Sequence, residues 1–197
     1  MPVNAVELRV VGMSRSGSHA VVNRILRQAE GRVCFLNCAE PRTNPFRSAR
    51  PLDTGDCAVA TWPGFDLAAE QAGRFATKDR LVYSYEDTFL NPAFDPAFDR
   101  RHDGWVGSSA RRHDVLVVRD PFNLFASRCR WGRSPLSPTI VRRMWKQHAR
   151  AALDPVGGLR HGPIVVSYNA WAADAGYRRR LAAALGLRFT DAGRDEV

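Results

Sequence analysis

Apolar positions along this 197-residue chain follow two alternating spacings. Compact runs of β-branched and aliphatic residues read as buried strands at 7–12, 33–38, 81–85, 114–118 and 163–167. Between them, apolar residues recur every three to four positions. Ala20, Val21, Val22, Ile25 and Leu26 define a helix over 17–29, and Leu67 to Phe75 a second. Leu124 and Phe125 fall in a helix over 121–130. Ile140, Val141, Met144, Trp145 and His148 mark one face of another that opens at Ser137-Pro138 and runs to Leu153. Tyr177, Leu181, Ala184 and Leu185 mark the last, over 172–185. Two stretches carry neither spacing and read as loops. One is 39–63 with its four prolines; the other is 91–107, with Pro-Ala-Phe-Asp at 92 and again at 96. The final ten residues read as frayed. Strands alternating with helices predict an α/β fold: a single-domain three-layer sandwich over 1–197 with a central, mostly parallel sheet flanked by helices.

Two strand-to-helix junctions carry candidate chemistry. The first is Gly12-Met-Ser-Arg-Ser-Gly-Ser18. A strand, a small-residue loop and a helix aim backbone N–H groups and a helix N-terminus at one spot, which suits a phosphate or sulfate. Gly12 and Gly17 have the separation of a nucleotide-triphosphatase loop, but Ser18-His19 stands where Lys-Ser/Thr is required. The missing lysine, with no clear acidic magnesium strand, argues against ATP hydrolysis. The second junction is Val118-Arg-Asp-Pro121. Arg119 ends a strand, where ligands bind open α/β sheets. Asp120 suits an N-cap and Pro121 the first helical position. Ser127 follows Arg119 by eight residues, about two turns into the helix. A structural Arg–Asp pair at a strand end is the plain alternative.

Arg15-Ser16-Gly17-Ser18 resembles the 5′-phosphosulfate loop of the PAPS-dependent sulfotransferases (PAPS is 3′-phosphoadenosine 5′-phosphosulfate). Arg119-Asp-Pro with Ser127 resembles the 3′-phosphate element of the same family. Tyr168-Asn-Ala-Trp171 and Leu185-Gly-Leu187 are similar to its late Tyr-Glu-Asp-Leu and Leu-Gly-Leu segments, without the acids. The resemblance implies a P-loop-like fold and sulfuryl transfer from PAPS, leaving PAP, to a hydroxyl of a carbohydrate or secondary metabolite. It implies no metal. It assigns Arg15, Ser16, Gly17, Ser18 and His19 to the 5′ side of the co-substrate, and Arg119 and Ser127 to the 3′-phosphate. Arg15 stands where the family often has Lys; a guanidinium keeps its proton at working pH and acts by charge and hydrogen bonds. Ala20 and Val21 stand where the family has an aromatic residue, and no later Arg-Lys-Gly segment is present. Arg111, Arg112 or Arg128 is therefore expected to assist at the 3′-phosphate.

The family places a His or Glu base at the end of the strand before the 3′-phosphate strand. Glu86 fits, with Asp87 behind it and His19 as a further candidate. Capping of the next segment is the alternative for the two acids. The acceptor pocket is expected from loops 39–80 and 88–112, with one face of Tyr83 and Tyr85 lining it. Trp62, Trp105 and Trp131 fall in loop regions, there to stack on an acceptor or to seal the core.

Composition narrows the partners. A net charge of +9, with arginines clustered at 111–112, 142–143 and 178–180, favours anions. No nucleic-acid motif accompanies the charge, so no nucleic-acid partner is expected. Cys34, Cys38, Cys57 and Cys129 form no CxxC pair and read as reduced thiols of a cytoplasmic protein. The five histidines show no metal-ligand spacing. No apolar run reaches the length of about 18 residues that a membrane-spanning helix needs. The alternatives are a degenerate P-loop nucleotide kinase and a non-catalytic nucleotide- or polyanion-binding protein.

Overall fold

A computed structural model of the chain describes residues 1–52, 55, 58–132 and 136–190. Six strands form one sheet: β1 (Asn4–Gly12), β2 (Val33–Leu36), β3 (Ala58–Ala60), β4 (Lys78–Glu86), β5 (Ser109–Val118) and β6 (Ile164–Ser167). Their order is β3-β2-β4-β1-β5-β6, with every pairing parallel except β2–β3. The helices are α1 (Ser18–Gln28), α2 (Pro45–Ser48), α3 (Leu67–Gln71), α4 (Leu90–Ala93), α5 (Pro96–Val106), α6 (Pro121–Trp131), α7 (Pro138–Leu153), α8 (Pro155–Gly158), α9 (Tyr168–Ala173) and α10 (Ala175–Ala184).

Strand alternation divides the core between two faces. Leu8, Val10, Val115 and Val117 pack with Val21, Val22 and Ile25 of α1, Trp171 of α9 and Leu181 of α10. Val11, Leu81, Tyr83 and Leu116 pack on the other side with Phe46, Leu90, Phe94, Val106 and Ala151. The three-layer α/β sandwich expected from the sequence is thus the observed architecture. Among the described residues, no helix is long and apolar enough to cross a membrane.

The 91–107 stretch departs from its expected loop conformation: it forms α4 and α5. Asp95 caps α5 by accepting from the Ala97 N–H at 2.8 Å, and Pro96 opens the helix. Phe98, His102 and Val106, four apart, are its buried face. The charged residues between them hide that period from a hydropathy reading. The 39–63 stretch likewise holds short α2 and the antiparallel β3. The strand expected to 38 stops at Leu36, the helix expected over 67–75 stops at Gln71, and that over 172–185 divides at Asp174, which caps α10.

Three strands start earlier than expected, β1 at Asn4, β4 at Lys78 and β5 at Ser109, and each carries buried charge. Glu7 accepts from Arg112 Nε at 2.9 Å and from the Tyr83 hydroxyl at 2.6 Å, with His102 Nε2 at 2.8 Å. Arg9 binds Asp114 at 2.7 Å and Asp99 at 2.5 Å. Lys78 binds both oxygens of Glu70 at 2.8 Å. Such groups are tolerated inside because each has charged or hydrogen-bonding partners. Burial raises the Glu7 carboxyl's pKa, but the hydrogen bond and charge of His102, with Arg112, hold it well below the usual carboxylate range. Cys57 and residues 191–197 lie outside the described residues.

Candidate active site

The Gly12–Ser18 loop leaves β1 at the C-terminal edge of the sheet, between the ends of β4 and β5. Gly12 permits the loop to fold back. A Cβ there would sit 2.1 Å from Ser18 Oγ and 2.8 Å from Ser16 Oγ. The two hydroxyls are 2.9 Å apart and buried, and the Ser16 N–H donates to Met13 O at 2.8 Å. Gly17 turns the chain into α1 at φ 91°, and a Cβ would meet the Tyr168 ring at 2.1 Å. Gly17 is also the N-cap of α1. It supplies no side-chain cap, and the first turn holds no acidic residue. The opening N–H groups and the positive end of the helix are left for an anion.

Arg15 sits at φ 73°, in the left-handed region that non-glycine residues seldom occupy. Among the described residues four non-glycines share that trait, and Arg15, Cys38 and Asp87 all lie at this edge of the sheet. Backbone strain of this kind clusters at functional sites. Arg15 Nε donates to Ser127 Oγ at 3.1 Å, and Arg119 Nη1 donates to Arg15 O at 3.0 Å. The Arg119 guanidinium lies 5.1 Å from the Tyr168 ring centre. The Trp145 indole N–H donates to Arg119 O at 3.0 Å. Arg119 Nε is buried with no hydrogen-bond partner among the described residues. Two junctions whose arginines are 104 residues apart in sequence thus place Arg15, Arg119, Ser127 and a helix N-terminus together.

Asp87 and Arg128 form the strut beneath this group. Arg128 grips both Asp87 oxygens at 2.7 and 3.1 Å and donates to Ser14 O at 3.0 Å. Asp87 also accepts from the Ser14 N–H at 3.0 Å. Asp87 thus braces the loop instead of backing Glu86. Arg128, expected to assist at the 3′-phosphate, is committed to that brace. Arg111 and Arg112 pair across from Val6 and Glu7, at the opposite end of β5 from Arg119. That places them about 25 Å along the strand from Arg119, at roughly 3.3 Å per residue.

Glu86 ends β4 beside Gly12 and accepts from Ser14 Oγ at 3.0 Å. Its other oxygen, Oε1, is 3.6 Å from His19 Nε2; the side chains are 21% and 57% exposed. Cys38, at φ 45° after β2, completes a cluster in which a His19 nitrogen, Cys38 Sγ and a Glu86 oxygen lie within 4.8 Å of one another. Burial, and then the Glu86 charge, push the Cys38 thiol up to about 12. The cluster joins three elements, so no local spacing of ligand types announces it.

Tyr83 and Tyr85 do not line a pocket. Both are fully buried in the core, Tyr83 bonded to Glu7. Trp62 and Trp105 pack against the same core, whereas Trp131 is exposed. Ala20 and Val21 are buried, so α1 presents no aromatic ring at the loop. Tyr168, at the start of α9, is the ring that covers Gly17, a role the sequence reading missed.

No family model matches the chain, and no curated protein matches it significantly. Among solved structures it is similar to a mouse sulfotransferase, SULT7A1, complexed with PAP: TM-score 0.55, 13% sequence identity, 95% of this chain and 60% of that one. A sugar kinase from Janibacter sp. HTCC2649, unliganded, aligns at TM-score 0.47 and 11% identity over 93% of this chain and 95% of that one. The chain spans about three-fifths of the mouse protein's length. At such identity the likeness concerns the fold, a P-loop-like α/β sandwich.

Proposed function

We propose that this protein is a PAPS-dependent sulfotransferase that moves a sulfuryl group to a hydroxyl acceptor by in-line transfer. One observation carries the reading: Arg15, Arg119 and Ser127 converge on the uncapped N-terminus of α1. Both sequence motifs that resemble the family contribute to that cluster, from separate strands.

The residues present suit the anionic ends of PAPS. Arg119, with an unpartnered Nε, and Ser127 hold the 3′-phosphate. The backbone N–H groups of Gly17, Ser18 and His19, in the loop that Ser16 shapes and with the Arg15 charge, hold the 5′ side, where negative charge grows on the leaving phosphate. Ser16 and Ser18 are buried and their hydroxyls bond to each other, and the Ser16 N–H closes the loop on Met13 O, so Ser16 shapes the loop while the Ser18 N–H, at the start of α1, is offered to the ligand. PAPS supplies the activated sulfuryl group. Glu86 takes the acceptor's proton as the new S–O bond forms and the bond to the 5′-phosphate oxygen breaks; Ser14 orients that carboxylate, and exposed His19 adds a second polar group beside it. The described cysteines Cys34, Cys38 and Cys129 are free thiols, which supports a cytoplasmic setting.

Calorimetric titration tests this reading with PAP, AMP, and ATP plus magnesium as ligands. Tight, metal-independent binding of PAP, at least tenfold over AMP, is expected. Preference for ATP with magnesium moves the protein to the kinase alternative. PAP binding without transfer to any acceptor moves it to the non-catalytic one.

A further inference from the structure

We propose that His19, Cys38 and Glu86 form a binding site for a zinc-class divalent ion. The three donors come from α1, the turn after β2 and the end of β4, and they face one another at the sheet edge within 4.8 Å. A thiolate, an imidazole and a carboxylate are a donor set for zinc or cobalt, not for magnesium or calcium, which prefer oxygen alone. Tetrahedral bonds of about 2.0–2.3 Å require donor atoms about 3.5 Å apart. The His19–Glu86 separation of 3.6 Å already meets that requirement. Rotation of exposed His19 and a small approach by Cys38 complete it.

Two of the donors are held in place by neighbours. Ser14 Oγ donates to Glu86 Oε2, leaving Oε1, the oxygen that faces His19, for the ion. The Cys38 N–H donates to Ser84 Oγ at 2.9 Å and fixes the backbone of the turn, while the thiol donates to Asn37 Oδ1 at 3.3 Å, a contact given up when its proton leaves. Such outer contacts orient ligands before the ion arrives. On binding, the Cys38 proton leaves to solvent, and the thiolate and carboxylate together balance the ion's two charges. Three protein ligands leave the fourth position open to solvent or to a small ligand. An ion held there occupies the carboxylate assigned above as the base, so zinc inhibits transfer; that consequence rests on the sulfotransferase reading, whereas binding itself does not.

The test is titration of the full chain with zinc, followed by calorimetry, and with cobalt, followed by absorption. One ion per chain is expected, with a thiolate-to-cobalt charge-transfer band. Cys38→Ser should abolish the band and His19→Ala should weaken zinc at least tenfold, while Cys129→Ser, a change at an exposed thiol, leaves both unaltered. PAP titration of the same variants reports separately on the nucleotide site, and far-ultraviolet circular dichroism on folding. No zinc binding by the parent chain, or equal binding by the parent, His19→Ala and Cys38→Ser, overturns the proposal whatever PAP does.

Discussion

The two ends of the central strands use the same residue types in opposite ways. Near the start of β1, Glu7 and Arg9 are fully buried, and partners from β4, β5 and α5 surround them. At the other end, Arg15 is exposed and Arg119 half-buried, and their hydrogen-bond and ring neighbours are Ser127, loop backbone and Tyr168, with no carboxylate ion pair to either among the described residues. Charge at the first end is neutralised and serves cohesion. At the second, Arg128 is neutralised by Asp87 but Arg15 and Arg119 are not paired in this way, beside a backbone strained at Arg15, Cys38 and Asp87.

The sharpest way to break this contrast is to remove one group from each end. Glu7→Ala removes the buried carboxylate that Arg112, Tyr83, His102 and Ser109 share, and should lower unfolding free energy by about 3–5 kcal/mol. Arg15→Ala should change it by no more than about 0.5 kcal/mol, as for an ordinary surface position. Urea unfolding of the two variants side by side decides the matter; equal losses would erase the distinction between the ends.

At the open end, Glu86→Gln should lower turnover about 100-fold, the scale of a lost general base, with PAP affinity held within a factor of two or so of the parent. Single-turnover kinetics beside PAP titration separates the two quantities. A parent-like rate moves the proton acceptor elsewhere. Arg119→Ala should weaken PAP about tenfold to 100-fold, the worth of a charge-assisted contact, and leave a 3′-hydroxyl analogue nearly unaffected. An equal loss for both ligands removes Arg119 from the 3′-phosphate.

The smallest effect is the pH dependence of stability. Burial lowers the His148 pKa, and Glu7 is held low by His102 and Arg112. In both cases the unfolded chain takes up its proton at a higher pH than the folded one. Stability is therefore full above these unfolded values and falls on acidification, first below about 6.5 for His148 and then below about 4.5 for Glu7. The slope approaches about 1.4 kcal/mol per pH unit for each proton. Urea midpoints between pH 7 and 5 should shift in the parent and stay nearly flat in His148→Gln, where the amide can still donate to Thr88 O.

Much of the layout was legible in the residues. The runs Leu8–Val11, Val115–Val118 and the helix from Pro138 stand where their periodicity put them, because a buried strand or an amphipathic helix imposes its own spacing on apolar side chains. Ser137 and Asp120 cap the helices they precede for the same local reason. Helix α5 was not legible, since its buried face is Phe98, His102 and Val106 among charges, and its apolar period appears only once Glu7 makes His102 a core residue. Tyr83 and Tyr85 were misplaced for a related reason: alternation says that one strand face is covered, not what covers it.

Sequence by itself determined the α/β class, the two strand-to-helix junctions and the residue types available for anion binding, because each depends on local spacing and turn chemistry. Tertiary structure alone decided that Arg15 and Ser127 meet, that Arg128 and Asp87 brace the loop, that Tyr168 covers Gly17, and that His19, Cys38 and Glu86 face one another. Those relations depend on the order β2-β4-β1-β5-β6 across the sheet. Parallel pairing brings the C-terminal ends of strands distant in the chain to one edge, and no local pattern encodes which ends will be neighbours.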